Sequence, residues 1–360
     1  IGVPRARMRE KVLADNHSKV VVIGAGPAGL ELAFFLKKYG LSYALLERGL
    51  GPGEFFRKFP RHRRLISINK PNTGHSDPEV NLRWDWHSLL GDDAHRFTAY
   101  SDDYFPLADD YVGYLRDFQV RHSLEVHATA NVVSVSMDNG LFDVRCEDGR
   151  TFTCDDLVVA TGFASPRPAE FPGSELVEQY ADVSIDPPAF QGQRVLILGG
   201  GNSAFETANN ISKTAAAVYL LSRSPVRFAW NTRYAGHLRS VNCSFLDTHA
   251  LRVQNVIFDG CIEKVEREND HLAVDLKSSF SASALHVDRI IACLGFGIDT
   301  TIFSSECRPF LCHGRRFPVL TSAWEAVNVP NLYFAGSLMH GRDYQQGSCL
   351  LYTSDAADDL

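Results

Sequence analysis

The chain has 360 residues, 45% of them hydrophobic and 22% charged, with 27 Gly and 16 Pro. That composition excludes a disordered, collagen-like or small disulfide-stapled protein and leaves length for two domains, or for one inserted in another. A formal net charge of −7 gives no general attraction to nucleic acid or anionic lipid, and no apolar run approaches the roughly 20 residues of a bilayer-spanning helix. Small-molecule partners are the expectation, with no nucleic acid and no membrane span.

The eight cysteines contain no C-x-x-C pair, so a zinc site and a thioredoxin-type dithiol both lack their usual spacing, and no metal is expected. Residues 1–19 form a polar lead without the apolar h-region of a signal peptide, and a chain that opens on Ile1 is expected to have lost its true start. At the other end, Cys349 to Asp359 reads C-L-L-Y-T-S-D-A-A-D-D, which looks like a translated sequencing adapter. Residues 349–360 are therefore set aside, the alternative being a genuine acidic tail. Asn16-His17-Ser18, Asn210-Ile211-Ser212 and Asn242-Cys243-Ser244 match the N-glycosylation pattern, although Asn210 falls in a predicted helix.

From Val20 the sequence V-V-V-I-G-A-G-P-A-G-L-E-L-A is a buried-strand run followed by Gly24, Gly26 and Gly29 and then a helical pattern. In this context G-x-G-x-x-G reads as a dinucleotide fingerprint: a tight turn, a close approach to pyrophosphate, and close helix packing. Pro27 and Ala28 lie between the glycines at a helix N-terminus whose free N–H groups suit phosphates. A second strand, Tyr43 to Leu46, ends in Glu47 and Arg48, about twenty residues on, where a carboxylate suits an adenosine ribose.

The pattern returns as V-L-I-L-G-G-G-N-S-A-F-E-T-A, with Gly199, Gly201 and Ala204 in the three small positions and Asn202 and Ser203 between them. Here the next strand, Ala217 to Leu221, gives Ser222, Arg223 and Ser224 and no carboxylate. Hydroxyls and a guanidinium suit a 2′-phosphate, which points to NADPH; the alternative is that Arg223 is a solvated surface charge.

Much of Leu124 to Phe152 alternates apolar and polar residues, with turn signals at Asp138-Asn139-Gly140 and Glu147-Asp148-Gly149, and so predicts an antiparallel meander headed by Val132. It leads into Leu157 to Gly162. A comparable strand, Arg289 to Leu294, closes the second unit, and Asn331 to Gly336 comes last.

That order resembles the flavoproteins with two dinucleotide-binding domains. The resemblance implies an α/β fold of two Rossmann-like domains, with an NADPH domain inserted in a discontinuous FAD domain that carries the meander. The implied division is a lead at 1–19, FAD-binding parts at 20–165 and 296–348, the second truncated before its last helix, and an NADPH-binding domain at 166–295. FAD would be held at Gly24, Gly26, Pro27, Ala28, Gly29, Glu47, Arg48 and Val132, and lined by Ala160, Thr161, Gly162, Gly336 and Ser337. NADPH would be held at Gly199, Gly201, Asn202, Ser203, Ala204, Ser222 and Arg223.

A narrower match runs through Phe59-Pro60-Arg61-His62-Arg63-Arg64-Leu65-Ile66-Ser67-Ile68-Asn69-Lys70, Asn81-Leu82-Arg83, Asp85-Trp86, Gly201 to Ala208, Leu221 to Ser224 and Asp343-Tyr344. These stretches resemble the FAD-dependent oxidoreductase domain family that includes the endoplasmic-reticulum flavoprotein associated with degradation, and more distantly the flavin-containing monooxygenases. The resemblance implies an oxidoreductase that takes hydride from NADPH, a link to endoplasmic-reticulum redox and protein degradation machinery, and a luminal location, the cytoplasm being the alternative.

There are departures. The monooxygenase fingerprint is begun by Phe171 and Gly173, but its histidine position is Val177. No cysteine pair stands where disulfide reductases of this architecture carry one, and Ser337 replaces a common aspartate. Asn69 and Lys70 follow a strand-like apolar run where monooxygenases place a flavin-contacting asparagine, so the resemblance implies them as the candidate catalytic pair near the flavin ring; the alternative is Asn69 as a turn former before Pro71. The resemblance also implies a small-molecule or protein electron acceptor as partner. The basic cluster Arg57, Lys58, Arg61, His62, Arg63 and Arg64 could reach a pyrophosphate or be surface charge, and Trp84 and Trp86 read as packing. Two alternatives to the oxidoreductase reading stand: a monooxygenase of nitrogen or sulfur nucleophiles, and a scaffold in which FAD is structural.

Overall fold

The computed structural model describes residues 16–342, apart from 78–79, 82–83, 93–94, 164, 233–235, 252–253, 279–281 and 313–316. The tail at 349–360, nearly all of the lead at 1–19, Leu82, Arg83 and the Asp343-Tyr344 match lie outside the described residues. The chain divides into two compact units. The first runs to Lys58, resumes from Ile68 to Ala164 and returns at Ile298; the second comprises Phe59–Ser67 and Ser165–Gly297.

In the first unit His17–Ile23, buried from Val20 on, is strand β1, followed by helix α1 at Pro27–Lys38 and strand β2 at Tyr43–Leu46. Helix α2 covers Glu54–Lys58 and helix α3 covers Ala108–Arg121. The meander is β3 at Val132–Asp138, β4 at Leu141–Cys146 and β5 at Thr151–Val159. Its turns use residues that tolerate positive φ: Asn139 at 50°, Gly140 at 82° and Gly149 at 90°. The alternation before Val132 forms no strand; only His127 bridges, to Leu46.

Strand β5 organises this sheet. On one side it pairs in parallel with β1 along its length, from His17 against Thr153 to Ile23 against Val159. On the other side its first half is antiparallel to β4, and its last three residues run parallel to Leu332–Phe334. The sequence shows the change of role: Thr151–Cys154 alternates exposed and buried, whereas Leu157–Val159 is buried on both faces.

In the second unit Ser165–Pro166 (β6) pairs antiparallel with Phe296–Gly297 (β14). Its main sheet takes β7 at Glu178–Gln179, β8 at Arg194–Leu198, β9 at Ala217–Ser222, β10 at Asn255–Glu268, β11 at His271–Ser278, β12 at Ala282–Val287 and β13 at Arg289–Ala292. The order is β12-β11-β10-β9-β8-β13-β7. Helix α4 at Asn202–Ile211 follows β8 as α1 follows β1. The closing strand β13 stops at Ala292, two residues before the expected end.

One segment departs from the sequence expectation. Residues 59–67, placed by sequence in the 20–165 part, pack within the second unit, and the run Leu65–Ile68 is not a strand. Arg61 is the reason. Its guanidinium donates to the carbonyls of Ala181 and Val183, both at 2.6 Å, and its backbone N–H donates to the Tyr180 hydroxyl at 3.0 Å. Phe59 stacks on Tyr180 and meets Phe296 edge-on. Arg61 is therefore a structural clamp within the second unit rather than a phosphate ligand, and Arg57 pairs with Glu54 at 3.4 Å.

Helix α1 buries a carboxyl. Glu31 is 1% exposed; its Oε1 accepts the Leu90 N–H at 2.8 Å and its Oε2 has no partner. Burial pushes its carboxyl from the usual 4.5 up to about 8. An unfolded Glu31 ionises near 4.5 while the folded one keeps its proton to about 8, so stability falls as pH rises through that window. The limiting slope is ~1.4 kcal/mol per pH unit. Glu31→Gln should remove this slope: thermal unfolding should show the variant gaining on the parent from pH 5 to pH 8, and a constant difference would show that Glu31 is ionised in the fold.

Candidate functional site

The first glycine loop is built by backbone contact. Gly24 has φ +107°, and a Cβ there would lie 2.7 Å from the Ala160 carbonyl oxygen. A Cβ at Gly29 would lie 1.9 Å from the Gly24 oxygen. Gly26 differs from both: its Cβ would meet nothing within 4 Å, and its φ of −75° suits any residue. Two glycines are thus required by the protein's own packing, while the third keeps open the space a bound group would fill. Gly26 caps α1 without a side-chain hydrogen bond and Pro27 stands in the first turn, so the free N–H groups of that turn are left to a ligand.

Two further segments converge on this loop. Ala160 donates its N–H to Ile23, and Ala335 donates to Val159. A Cβ on Gly162 would lie 3.6 Å from the Ser337 hydroxyl, and one on Gly336 would lie 3.1 Å from Ala28 Cβ. The expected Ala160-Thr161-Gly162 and Gly336-Ser337 segments are thereby brought beside Gly24 and Ala28.

Glu47 closes the far edge. It is 6% exposed; its Oε2 accepts the Ala25 N–H at 2.9 Å and its Oε1 accepts the Gly49 N–H at 2.8 Å. The carboxylate thus grips the glycine loop itself, with second lone pairs left for a ribose. Arg48 is exposed beyond it. Val132 is 8% exposed and belongs to the hydrophobic core, so its side chain packs inward. The backbone beside Glu47 comes from His127 and Ala130 instead.

Asn69 is fully buried. Its N–H donates to the Tyr104 carbonyl at 2.9 Å and its Nδ2 donates to the Ser101 carbonyl at 2.7 Å, while Oδ1 is buried without a partner. A buried orphan acceptor exceeds what a turn former needs and marks a place for a donor. Lys70 lies with Nζ 4.0 Å from the Trp86 ring centroid and 5.0 Å from that of Trp84.

The second loop repeats the plan with one exchange. Gly199 has φ +130°, and its Cβ would lie 2.3 Å from the Cys293 oxygen. Gly201 caps α4 without a side-chain bond, and buried Ala204 fills the third position. Asn202 proves structural: its Nδ2 donates to His237 O at 2.7 Å and its Oδ1 accepts from Arg239 N and Asn242 Nδ2. Ser203 is half-buried, with its carbonyl accepting the Thr207 hydroxyl. At the end of β9, Ser222 is 8% exposed and Arg223 is exposed.

Sequence reasoning missed a buried group behind this loop. Glu206, one turn into α4, accepts the Tyr180 hydroxyl at 3.0 Å, and burial raises its carboxyl to about 7. The only sequence signal was an acid on the apolar face of α4.

The cysteines of the described residues are free thiols. Burial pushes Cys154 and Cys293 up to about 12, which keeps them protonated. Gly173 and Val177 are also explained by packing. A Cβ on Gly173 would lie 2.0 Å from the Val265 oxygen, and Val177 is buried in the second unit's core.

Comparison with known proteins agrees with this architecture. Residues 21–336 match the family model described as pyridine nucleotide-disulphide oxidoreductase. The chain is 41% identical to FAD-dependent oxidoreductase domain-containing protein 2 of Mus musculus, over 94% of this chain and 56% of that protein. It is 36% identical to the protein of the same name from Danio rerio, over 94% and 57%. The chain thus spans a little over half the length of these relatives. Among solved structures, a bacillithiol disulfide reductase from Staphylococcus aureus superposes with a TM-score of 0.71 at 20% identity, over 94% of each chain. That likeness concerns the fold alone. With a family match running from the first strand to the last glycine segment, the chain belongs to the pyridine nucleotide-disulphide oxidoreductase family.

Proposed function

We propose that the chain is an FAD-dependent oxidoreductase that takes hydride from NADPH, with FAD on the first unit and NADPH on the second. The observation that carries this reading is the pair of glycine loops of one design with opposite ends, Glu47 after β2 and Ser222-Arg223 after β9. A carboxylate accepts from ribose hydroxyls and repels a 2′-phosphate, whereas a guanidinium and a hydroxyl hold one. The space left at Gly26 fits a pyrophosphate at the N-terminus of α1. When bound, FAD supplies the two-electron hydride chemistry, and the protein supplies orientation and electrostatics.

The residues of the chain divide that work. The N-terminal N–H groups of α1 hold phosphate, Glu47 fixes both the loop and the ribose edge, and Asn69 offers its buried Oδ1 to a ring N–H. The described residues form no disulfide, and burial raises the Cys154 and Cys293 thiols, so no dithiol relay is included. The name of the mouse and zebrafish relatives supports FAD as the resident group. A monooxygenase reading gains no side-chain support, because Gly173 and Val177 serve the core.

The luminal location and the link to endoplasmic-reticulum redox and protein degradation rest on the sequence resemblance. The glycosylation triplets contribute little to it. Asn242 is buried and bonded to Asn202, and Asn210 Nδ2 donates to the Ile185 carbonyl; Asn16 alone of the three is exposed.

Anaerobic addition of NADPH should bleach the visible absorbance of the bound flavin; a flavin that stays oxidised would leave FAD a structural group. Gly26→Ala should keep the fold and lose FAD, seen as a fall in the flavin-to-protein absorbance ratio at unchanged circular dichroism. Gly29→Ala should instead lower the melting temperature, overpacking costing about 1–3 kcal/mol. Arg223→Ala should raise KM for NADPH by about tenfold, the loss of one charge-assisted contact, and leave NADH nearly unchanged. Equal effects on both nucleotides would remove the 2′-phosphate assignment.

A further inference from the structure

Just beyond β9 the second unit exposes an aromatic pair and two cations. Trp230, on the short helix Ala229–Thr232, is 58% exposed, although tryptophan is on average a well-buried residue. Its ring stacks on Phe228, with centroids 4.5 Å apart and planes at 22°. Phe228 therefore backs one face of the indole and solvent meets the rest. Arg223 and Arg227 stand before this pair in the chain; both are exposed, and among the described residues neither is in an ion pair.

This segment is tied to the second glycine loop. The Ala229 N–H donates to the Leu238 carbonyl and the Leu238 N–H donates to the Arg227 carbonyl, each at 3.0 Å, and Leu238 is fully buried. The Thr232 hydroxyl and His237 Nδ1 lie 2.6 Å apart. Residues 236–239 in turn reach the start of α4. The Gly236 carbonyl oxygen would lie 3.9 Å from a Cβ on Gly201, and the Asn202 side chain holds the His237 carbonyl and the Arg239 N–H. Burial, and after it the Arg227 charge, lower the His237 imidazole, which places that guanidinium beside the same residues. From the β9 side, the Ser222 hydroxyl oxygen would lie 2.5 Å from a Cβ on Gly200. The aromatic pair and the arginines are thus held at the rim of the loop by bonds that end on α4.

Scattered exposed apolar residues need no explanation. A stacked aromatic pair flanked by guanidiniums and tethered to a phosphate-suited helix start matches a ligand with a flat base and a phosphate one ribose away. With Ser222 and Arg223 at the ribose position, the base beside them is the adenine. We propose that Trp230, backed by Phe228, is the platform on which the adenine of NADPH stacks, and that Arg227 joins Arg223 on the 2′-phosphate. The inference rests on the assignment of NADPH to the second unit, and it adds the side chains that would read its base and its phosphate.

Of the four tryptophans, only Trp230 belongs to the second unit, so it supplies its own readout. Adenosine 2′,5′-bisphosphate, adenosine 5′-monophosphate and nicotinamide mononucleotide are titrated into the protein by calorimetry, with tryptophan emission followed on the same samples. The bisphosphate should quench emission saturably. Trp230→Phe should abolish the quench yet retain most of the affinity, because a flat apolar ring remains. Trp230→Ala should weaken both adenosine nucleotides about tenfold, the scale of one lost base–aromatic stack, and leave nicotinamide mononucleotide unchanged. Arg227→Gln should weaken the bisphosphate about tenfold and the monophosphate hardly at all, the mark of a contact to the 2′-phosphate. A melting curve for each variant separates loss of binding from loss of fold. Trp230→Ala binding the bisphosphate as the parent does would overturn the platform, and Arg227→Gln weakening both adenosine nucleotides alike would overturn the phosphate contact. A parent that binds neither adenosine nucleotide would remove the NADPH assignment itself; a parent that binds them, with variants that match it, would leave that assignment standing and remove only this inference.

Discussion

The contact on which the rest of the first unit depends is between two backbones: α1 begins so close to the turn after β1 that a single carbon on Gly29 would sit 1.9 Å from the Gly24 carbonyl. No side chain can mediate an approach that short. It brings the N-terminal N–H groups of α1 to the carboxyl end of the sheet, where Ala160 presses on Gly24 and Ala28 meets Gly336. Glu47 then locks the loop from the next strand by accepting the Ala25 N–H. For the pyrophosphate role proposed above, a loop shaped by the protein's own backbone contacts is preorganised, which lowers the entropic cost of binding.

The second unit reaches the same geometry with a different set of small residues. Gly199 presses on the Cys293 backbone as Gly24 does on Ala160, while a fully buried Ala204 stands in the third position. The difference that matters chemically lies beyond the loop. Glu47 is buried and bound to backbone, whereas Arg223 stands exposed where a phosphate could meet it.

The family takes its name from disulfide chemistry, yet the described residues form no disulfide, and burial pushes the Cys154 and Cys293 thiols up. Among the described residues, the proposed electron transfer rests on the two glycine loops. The buried pair Tyr180 and Glu206, with the Arg61 clamp, fixes residues 59–67 within the second unit, and the chain passes directly from there to Asn69.

The sequence by itself determined both glycine loops, the acid and the arginine that distinguish them, the meander and the final glycine segment. Each of these is local: a strand, a turn that needs positive φ, a helix start, and one side chain a fixed distance on. Only the tertiary structure decided matters that depend on residues far apart in the chain. It separated Gly26, which faces open space, from Gly24 and Gly29, which face backbone. It bonded the Asn202 side chain to His237, Arg239 and Asn242, placed Gly173 against the Val265 backbone, and made Arg61 a clamp through carbonyls more than a hundred positions away. It also gave Asn69 a buried acceptor with no donor, because the groups that surround that side chain come from residues 101–104, which no local pattern connects to it.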